Sequence, residues 1–299
     1  LNPSLLLNTS FNPTIAYAHD PHISSILNLP VIPLQQAIVK FVFTPRMETT
    51  MLNLNQKHHL PHNRFTLSMA RTDSEIEEAQ RLRYKVFAEE MGAFLPSAHE
   101  GIDSDIFDRY CEHLLVRDNN TNKVIGTYRI LPPDRARTIC GYYAETEFDL
   151  TRLAHMRDRM VEVGRSCVHS NYRDGVTIAR LWSGLADYMH MNNHEYLIGC
   201  ASISMNDGGH CAASIFKKLN KLYAAPAEYR VFPRCPLPLE ALDSTLDVNI
   251  PPLIKGYLRL GAYIGGEPAW DPDFNTADLF ILLPMSRLNE KYAKHFIRK

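Results

Sequence analysis

The sequence predicts one α/β domain, α+β in its segregation, on a mixed and mostly antiparallel sheet flanked by helices. Three observations predict it. Several short segments alternate apolar and polar residues, others repeat apolar residues at helical spacing, and the two kinds are interleaved. The order reads strand, helix, hairpin, helix, strand, helix, strand, helix, then two strands.

Order begins at Arg64, where Phe65, Leu67 and Met69 alternate with polar residues as in a strand. Thr72 and Glu75 have capping-box spacing. The helix they open carries Ile76, Ala79, Leu82, Val86 and Phe87 on one side, and Gly92 closes it. After an acidic loop from Glu100 to Asp108, a hairpin is predicted: His113 to Arg117, a polar turn, then Val124 to Leu131, ended by Pro132 and Pro133. A helical stretch near Leu150 to Arg159 leads into a strand from Met160 to His169. Thr177 to His190 is a helix whose Trp182 and Met189 stripe belongs in the core. Tyr196 to Met205 reads as a strand and His210 to Tyr223 as a helix. Strands are expected near Ile254 to Ile264 and Ala277 to Leu283, then a short helix from Ser286 to Phe296.

Residues 1–62 read differently. They are rich in Asn, Pro, His and Ser, with few charges and no sustained period, so an irregular extension is expected ahead of a domain over 63–299. Met47 and Met51 stand as candidate starts. A membrane-contacting segment around Ile23 to Phe43 is the rival reading, but prolines, glutamines and Lys40 interrupt it as a transmembrane span.

A formal net charge of -1 over 299 residues gives no case for nucleic acid. Six cysteines without a CxxC pair suit reduced thiols in a cytoplasmic protein, and no Cys or His spacing suggests a metal site.

The chemistry concentrates in Met160-Val-Glu-Val-Gly-Arg-Ser-Cys-Val-His169 and the polar loop that follows. Glu162 and Arg165 are charges in an apolar strand. Period two puts them on opposite faces unless a bulge at Gly164 turns both to one cleft; a structural ion pair between strand and helix is the bland alternative. Arg173 and Gly175 precede a helix start, whose free amides suit a phosphate. His113, His169 and His210 are read as hydrogen-bonded structural residues rather than bases.

Arg83-Tyr-Lys-Val-Phe87, Asp105-Ile-Phe-Asp108, Gly126-Thr-Tyr-Arg129 and Glu162-Val-Gly-Arg165 occur in the order and approximate spacing of acyl-homoserine-lactone synthases. The strings Val161 to His169 and Gly266-Glu-Pro-Ala-Trp-Asp-Pro-Asp-Phe274 resemble more closely a sister group, the bacterial ornithine Nα-acyltransferases, often labelled haemolysin-like. The resemblance spans roughly Arg64 to Phe296.

It implies the GNAT acyltransferase fold, with a sheet splayed at a central cleft. It also implies transfer of a 3-hydroxyacyl group from acyl carrier protein to ornithine, giving lyso-ornithine lipid. The alternatives are a synthase of another N-acyl amine or a non-catalytic acyl-binding membrane effector. The donor arm would be the carrier's 4'-phosphopantetheine, with no cofactor held by the chain itself. Glu162 would accept the amine proton, with Arg165, Asp105, Asp108 and Arg129 positioning it. Cys167, Val168, Arg173 and Gly175 would line the donor arm, though the usual phosphate-loop pattern is only partly present. Acids and an aromatic in Glu267, Trp270, Asp271 and Asp278 would hold the distal ammonium, and Arg83 or Arg129 the carboxylate, with Phe87 beside them. Lys217, Lys218 and Lys221, with Arg173 and Arg180, would face the acidic carrier. Peripheral contact with the inner membrane is left open.

Overall fold

The first alternating segment forms strand β1 (Phe65–Met69) in the computed structural model, which describes residues 64–288. Thr72 caps helix α1 (Asp73–Tyr84): its Oγ1 accepts the Glu75 N–H, while Glu75 Oε2 accepts the Arg71 N–H at 2.7 Å. One donor that a helix start leaves unsatisfied is thus paired, and the Glu75 carboxylate secures the chain just before the cap. The helix runs on as a π-helical turn (Lys85–Glu90), and Gly92 turns the chain away.

The predicted hairpin is β2 (Glu112–Asp118) and β3 (Lys123–Leu131). Pro132 and Pro133 end β3 and also open the short helix α2 (Pro133–Thr138), because proline suits the first helical turn. Then come β4 (Phe148–Asp149), a 3-10 run (Thr151–Arg159), β5 (Met160–Val168), α3 (Val176–Met191), β6 (Tyr196–Ser204), α4 (His210–Tyr223) and β7 (Phe232–Pro233).

The strand expected near Ile254 to Ile264 is instead α5 (Pro252–Leu260) followed by the two-residue β8 (Tyr263–Ile264). Pro252 opens the helix, Ile254, Tyr257 and Leu258 are buried at helical spacing, and Gly261 ends it in the left-handed conformation at φ +108. A short apolar run does not declare its period. Strands β9 (Ala269–Asp271) and β10 (Thr276–Pro284) complete the sheet. Of the expected helix from Ser286 to Phe296, the 3-10 turn Met285–Arg287 is present. The rest of that helix and the extension over 1–62 lie outside the described residues.

The sheet runs β1-β2-β3-β5-β6-β10-β8, with β9 also on β10. Its pairings are antiparallel except β5 with β6, which run parallel. That ladder covers Met160–Glu162 against Tyr196–Ile198 and then stops, so the strands diverge as a splayed sheet requires. Where they part, a Cβ on residue 199 would sit 2.4 Å from the Val163 carbonyl oxygen, so glycine is required there.

Helices α3, α4 and α5 cover one face through a core that includes Val163, Trp182, Met189, Phe216 and Tyr257. Helix α1 and the chain between β3 and β5 cover the other face, through Leu115 and Cys167 on one side and Phe148, Met160 and Phe280 on the other. This second face carries the polar residues singled out above. Among the described residues no helix is long and apolar enough to cross a membrane.

Candidate active site

Strand β5 sets the geometry. Gly164 lies opposite Arg129 and Cys167 opposite Thr127, so β5 holds one residue more than β3 between these pairs. The bulge falls one position later than Gly164 suggests: Arg165 itself takes the left-handed conformation, at φ +49. Such backbone in a residue with a side chain costs on the order of 1 kcal/mol and recurs at functional sites. It swings Arg165 onto the face that Glu162 and Arg129 share. Glu162 and Arg165 do not pair with each other; Arg165 pairs with Asp103 and Asp105, so the strand does carry an ion pair, to the loop between α1 and β2 rather than to a helix.

Arg165 joins a buried network of three guanidiniums and three carboxylates. Arg83 meets Asp103 through Nε at 2.8 Å and Asp108 at 2.7 and 2.9 Å. Arg129 reaches Asp105 at 2.6 Å and Asp108 at 3.4 Å. Arg165 lies 3.3 Å from both Asp103 and Asp105. Burial favours a neutral Asp108, but the Arg83 hydrogen bond and the charges of Arg83 and Arg129 outweigh it and hold the carboxyl well below the usual range. Asp103 reads in the sequence only as part of an acidic loop; nothing local separates it from its neighbours.

The expectation that Arg83 grips a carboxylate fails, because its side chain exposes none of its surface. It organises the network instead. Arg129 is 5% exposed and Arg165 12%, so Arg165 is the guanidinium best placed to meet a substrate. It lies 4.9 Å over Tyr143 and 4.6 Å over Phe274, and Phe274 in turn meets Phe87 edge-on.

Glu162 is buried beside this network. Its two oxygens accept the N–H groups of Tyr143 and Ala144 at 2.6 and 2.7 Å. Burial pushes its carboxyl up to about 7, against those hydrogen bonds and the Arg129 charge, which pull it down. A carboxyl balanced there can exchange a proton near neutrality.

A second acidic group lies on the same face. One oxygen of Glu147, one of Asp278 and Sγ of Cys200 all sit within 4.8 Å of one another. Asp278 Oδ1 accepts from Thr276 Oγ1 at 2.8 Å. Both Glu147 oxygens are fully buried, with no backbone donor and no cation against them. Burial, then the charges of Asp278 and Asp271, push Glu147 up to about 10. Sequence reasoning finds Asp278 and Asp271 but misses Glu147 and Cys200. Asp271 also closes its own turn, accepting the N–H groups of Asp273 and Phe274. Glu267 is exposed, and Trp270, at 43% exposure, stands at the surface rather than in the core.

The donor-side residues fare unevenly. Beyond Glu162 the edge of β5 toward β6 is released from the ladder. Cys167 instead buries its thiol against α1, and Val168 packs into the opposite core. Arg173 holds Val168 O and Glu90, at 2.9 and 2.6 Å. Gly175 takes φ +98 at the start of α3, but Asp174 already accepts the Val176 N–H. A phosphate there would have to displace carboxylates, which corrects the simple helix-start reading. His113 is buried against the Asp108 carbonyl, and its imidazole is shifted down by burial. His169 Nδ1 accepts the Asn171 N–H and His210 Nδ1 that of Asp243, as structural residues do.

Residues 82–183 match the family model for an acetyltransferase (GNAT) domain. The chain is 35% identical to the L-ornithine N(alpha)-acyltransferase of Agrobacterium fabrum, over 85% of this chain and 92% of that one. It is 37% identical to the protein of the same name from Rhodobacter capsulatus, over 79% and 95%. Among solved structures, the AHL synthase LasI aligns over 79% of this chain and 98% of its own, with TM-score 0.46 and 13% identity.

Proposed function

From the premise that the chain belongs to the L-ornithine N(alpha)-acyltransferase family and is an acyltransferase, we propose that it moves a 3-hydroxyacyl group from acyl carrier protein to the α-amine of ornithine, giving lyso-ornithine lipid. The amine nitrogen attacks the thioester carbonyl, the carbon–sulfur bond breaks, and the pantetheine thiol leaves with a proton. Glu162 takes the proton that the amine nitrogen loses and passes it to the departing sulfur, so one proton moves from nitrogen to thiol.

One observation carries this reading: the bulge at Arg165 brings a guanidinium onto the Glu162 face at the point where β5 parts from β6. A thioester arm lying along the freed edge of β5 would present its carbonyl to that face. Its oxygen would find backbone N–H donors, which stabilise developing negative charge most effectively when fixed beforehand. Holding both reactants there supplies much of the rate. Arg165 would take the acceptor's carboxylate, since Arg83 has no exposed surface.

The α-amine is favoured by its own chemistry. Its pKa is about 8 in peptide models against about 10.4 for a lysine-like amine, so freeing it at neutral pH is easier by roughly 3 kcal/mol. Incubation with hydroxylated and plain acyl carrier proteins, acyl-CoA and a panel of amino acids, with products identified by mass spectrometry, tests the assignment. Nα-acylornithine from carrier-bound donor is the expected product. Acyl-homoserine lactone, or no product from any pair, overturns it. Glu162→Gln should lower turnover at least about tenfold while remaining folded; near-normal turnover removes Glu162 from the chemistry.

A further inference from the structure

The two buried polar groups on this face differ in charge balance. In the first, the guanidiniums of Arg83, Arg129 and Arg165 meet the carboxylates of Asp103, Asp105 and Asp108. In the second, Glu147 and Asp278 face each other with Asp271 beside them, and among the described residues no lysine or arginine forms an ion pair with any of the three. The nearby Arg234 turns its Nε to the Glu145 carbonyl instead. A buried carboxyl pair without a cation is costly, and folding alone gives no reason for it.

Glu147 points most directly to a ligand. Both of its oxygens are wholly buried, they meet no backbone donor and no cation, and their near polar neighbours are Asp278 and Cys200. The position along the sheet adds to this. Ile198 of β6 pairs with Glu162, and Cys200 lies two residues further along the same face. That step is about 7 Å along a strand. The two amines of an α,δ-diamino acid are about 6 Å apart when extended, from bonds of about 1.5 Å. A molecule with its α-amine at Glu162 would thus carry its far end to the Glu147 and Asp278 carboxyls.

We infer that Glu147 and Asp278 form the receptor for the distal ammonium of the acceptor, with Asp271 as the third charge, and that this receptor selects a diamino acid of ornithine's length. The inference rests on ornithine being the acceptor. The cation supplies the counter-charge that the pair lacks and so favours ionised over protonated carboxyls. Binding at this end is therefore coupled to loss of a proton from the pair. The titratable groups facing Glu147 are Asp278 on β10, Asp271 on β9, Cys200 on β6 and Tyr143 in the preceding turn.

The test measures kcat/KM for ornithine, lysine and norvaline in the unmodified enzyme, Glu147→Gln and Asp278→Asn. The unmodified enzyme should prefer ornithine to both, and each variant should shrink its ornithine-to-norvaline preference at least tenfold. As pH rises from 6 to about 9, below the distal amine's own pKa of about 10.4, the unmodified enzyme's KM for ornithine should fall more steeply than that for norvaline, which shares only the ionisation of the α-amine. That profile stands even if a variant fails to fold. If ornithine is not acylated at all, the acceptor assignment fails. If ornithine is acylated but the preference survives both substitutions, or the KM profiles for ornithine and norvaline coincide, the receptor fails alone. A stoichiometric metal ion in the active enzyme, lost in Glu147→Gln, would also overturn it by supplying a different cation for the pair.

Discussion

The Arg83 network and the Glu147 group are built from the same kinds of residues on the same face of one sheet, and they behave oppositely. In the first, each buried carboxylate has a guanidinium within 3.3 Å, and Asp108 is held ionised far below neutrality. In the second, burial and mutual repulsion hold Glu147 protonated up to about 10. A cluster that satisfies itself stabilises one arrangement of the chain; a cluster that does not is available to a ligand. The contrast lies in charge balance rather than charge content: the first cluster carries its own counter-charges and the second does not.

The sharpest way to break the comparison is to unbalance the first cluster. Arg83→Met removes a guanidinium from between two buried carboxylates and should cost about 3–5 kcal/mol, read as a large drop in the urea midpoint. A change within about 1 kcal/mol, the scale of an exposed ion pair, would mean that the network is not structural.

A smaller effect separates the clusters by pH. Glu162 and Glu147 are raised above their ordinary value of 4.5, so the folded chain holds their protons more tightly than the unfolded chain. Their contribution is fully present below about pH 4.5 and is lost as pH rises, through about 7 for Glu162 and toward 10 for Glu147. Asp108 is depressed, so its contribution is present above its unfolded value and is lost on acidification. Stability should therefore decline from about pH 5 to 9, and Glu147→Gln should flatten that decline. An unchanged slope in Glu147→Gln would show that the carboxyl ionises freely.

The smallest effect lies outside both clusters, on α4. Lys217 and Lys218 are exposed there. Reversing both charges should weaken apparent affinity for an acidic carrier-protein donor by about two- to fivefold, more at low salt. The Arg83 and Glu147 variants should leave that salt dependence in place. A salt-insensitive reaction, or an α4 variant indistinguishable from the unmodified enzyme, would move the docking surface elsewhere.

Much of the fold is legible in the sequence because its cues are local. The Thr72 cap, the hairpin, the Trp182 stripe and the acid–arginine spacing on β5 each lie within a few residues of sequence. Helix α5 is misread because its apolar run fits either period until Pro252 and Gly261 are placed. The site is only half legible for a different reason. Glu147 stands between Glu145, which pairs with Arg157, and Asp149, which accepts from Thr151. Its partner Asp278 lies on the other half of the sheet, and no spacing rule connects them. Arg83 is legible as important but not as inaccessible, because burial depends on the loop from Glu100 to Asp108 folding over it.

The left-handed backbone at residue 165 has a consequence for anyone diversifying this enzyme. A library at that position is filtered twice, first by the main chain and only then by chemistry. Glycine and asparagine pass the first filter most easily, since both visit positive φ at little expense, yet neither reaches Asp103 or Asp105 as arginine does. Valine, isoleucine and threonine fail at the main chain before their polarity is sampled. Lysine keeps the charge and the φ penalty of arginine but lacks the planar fork that can address two carboxylates and two aromatic rings at once. Survivors of such a screen would rank backbone tolerance, and activity would have to be scored separately among them.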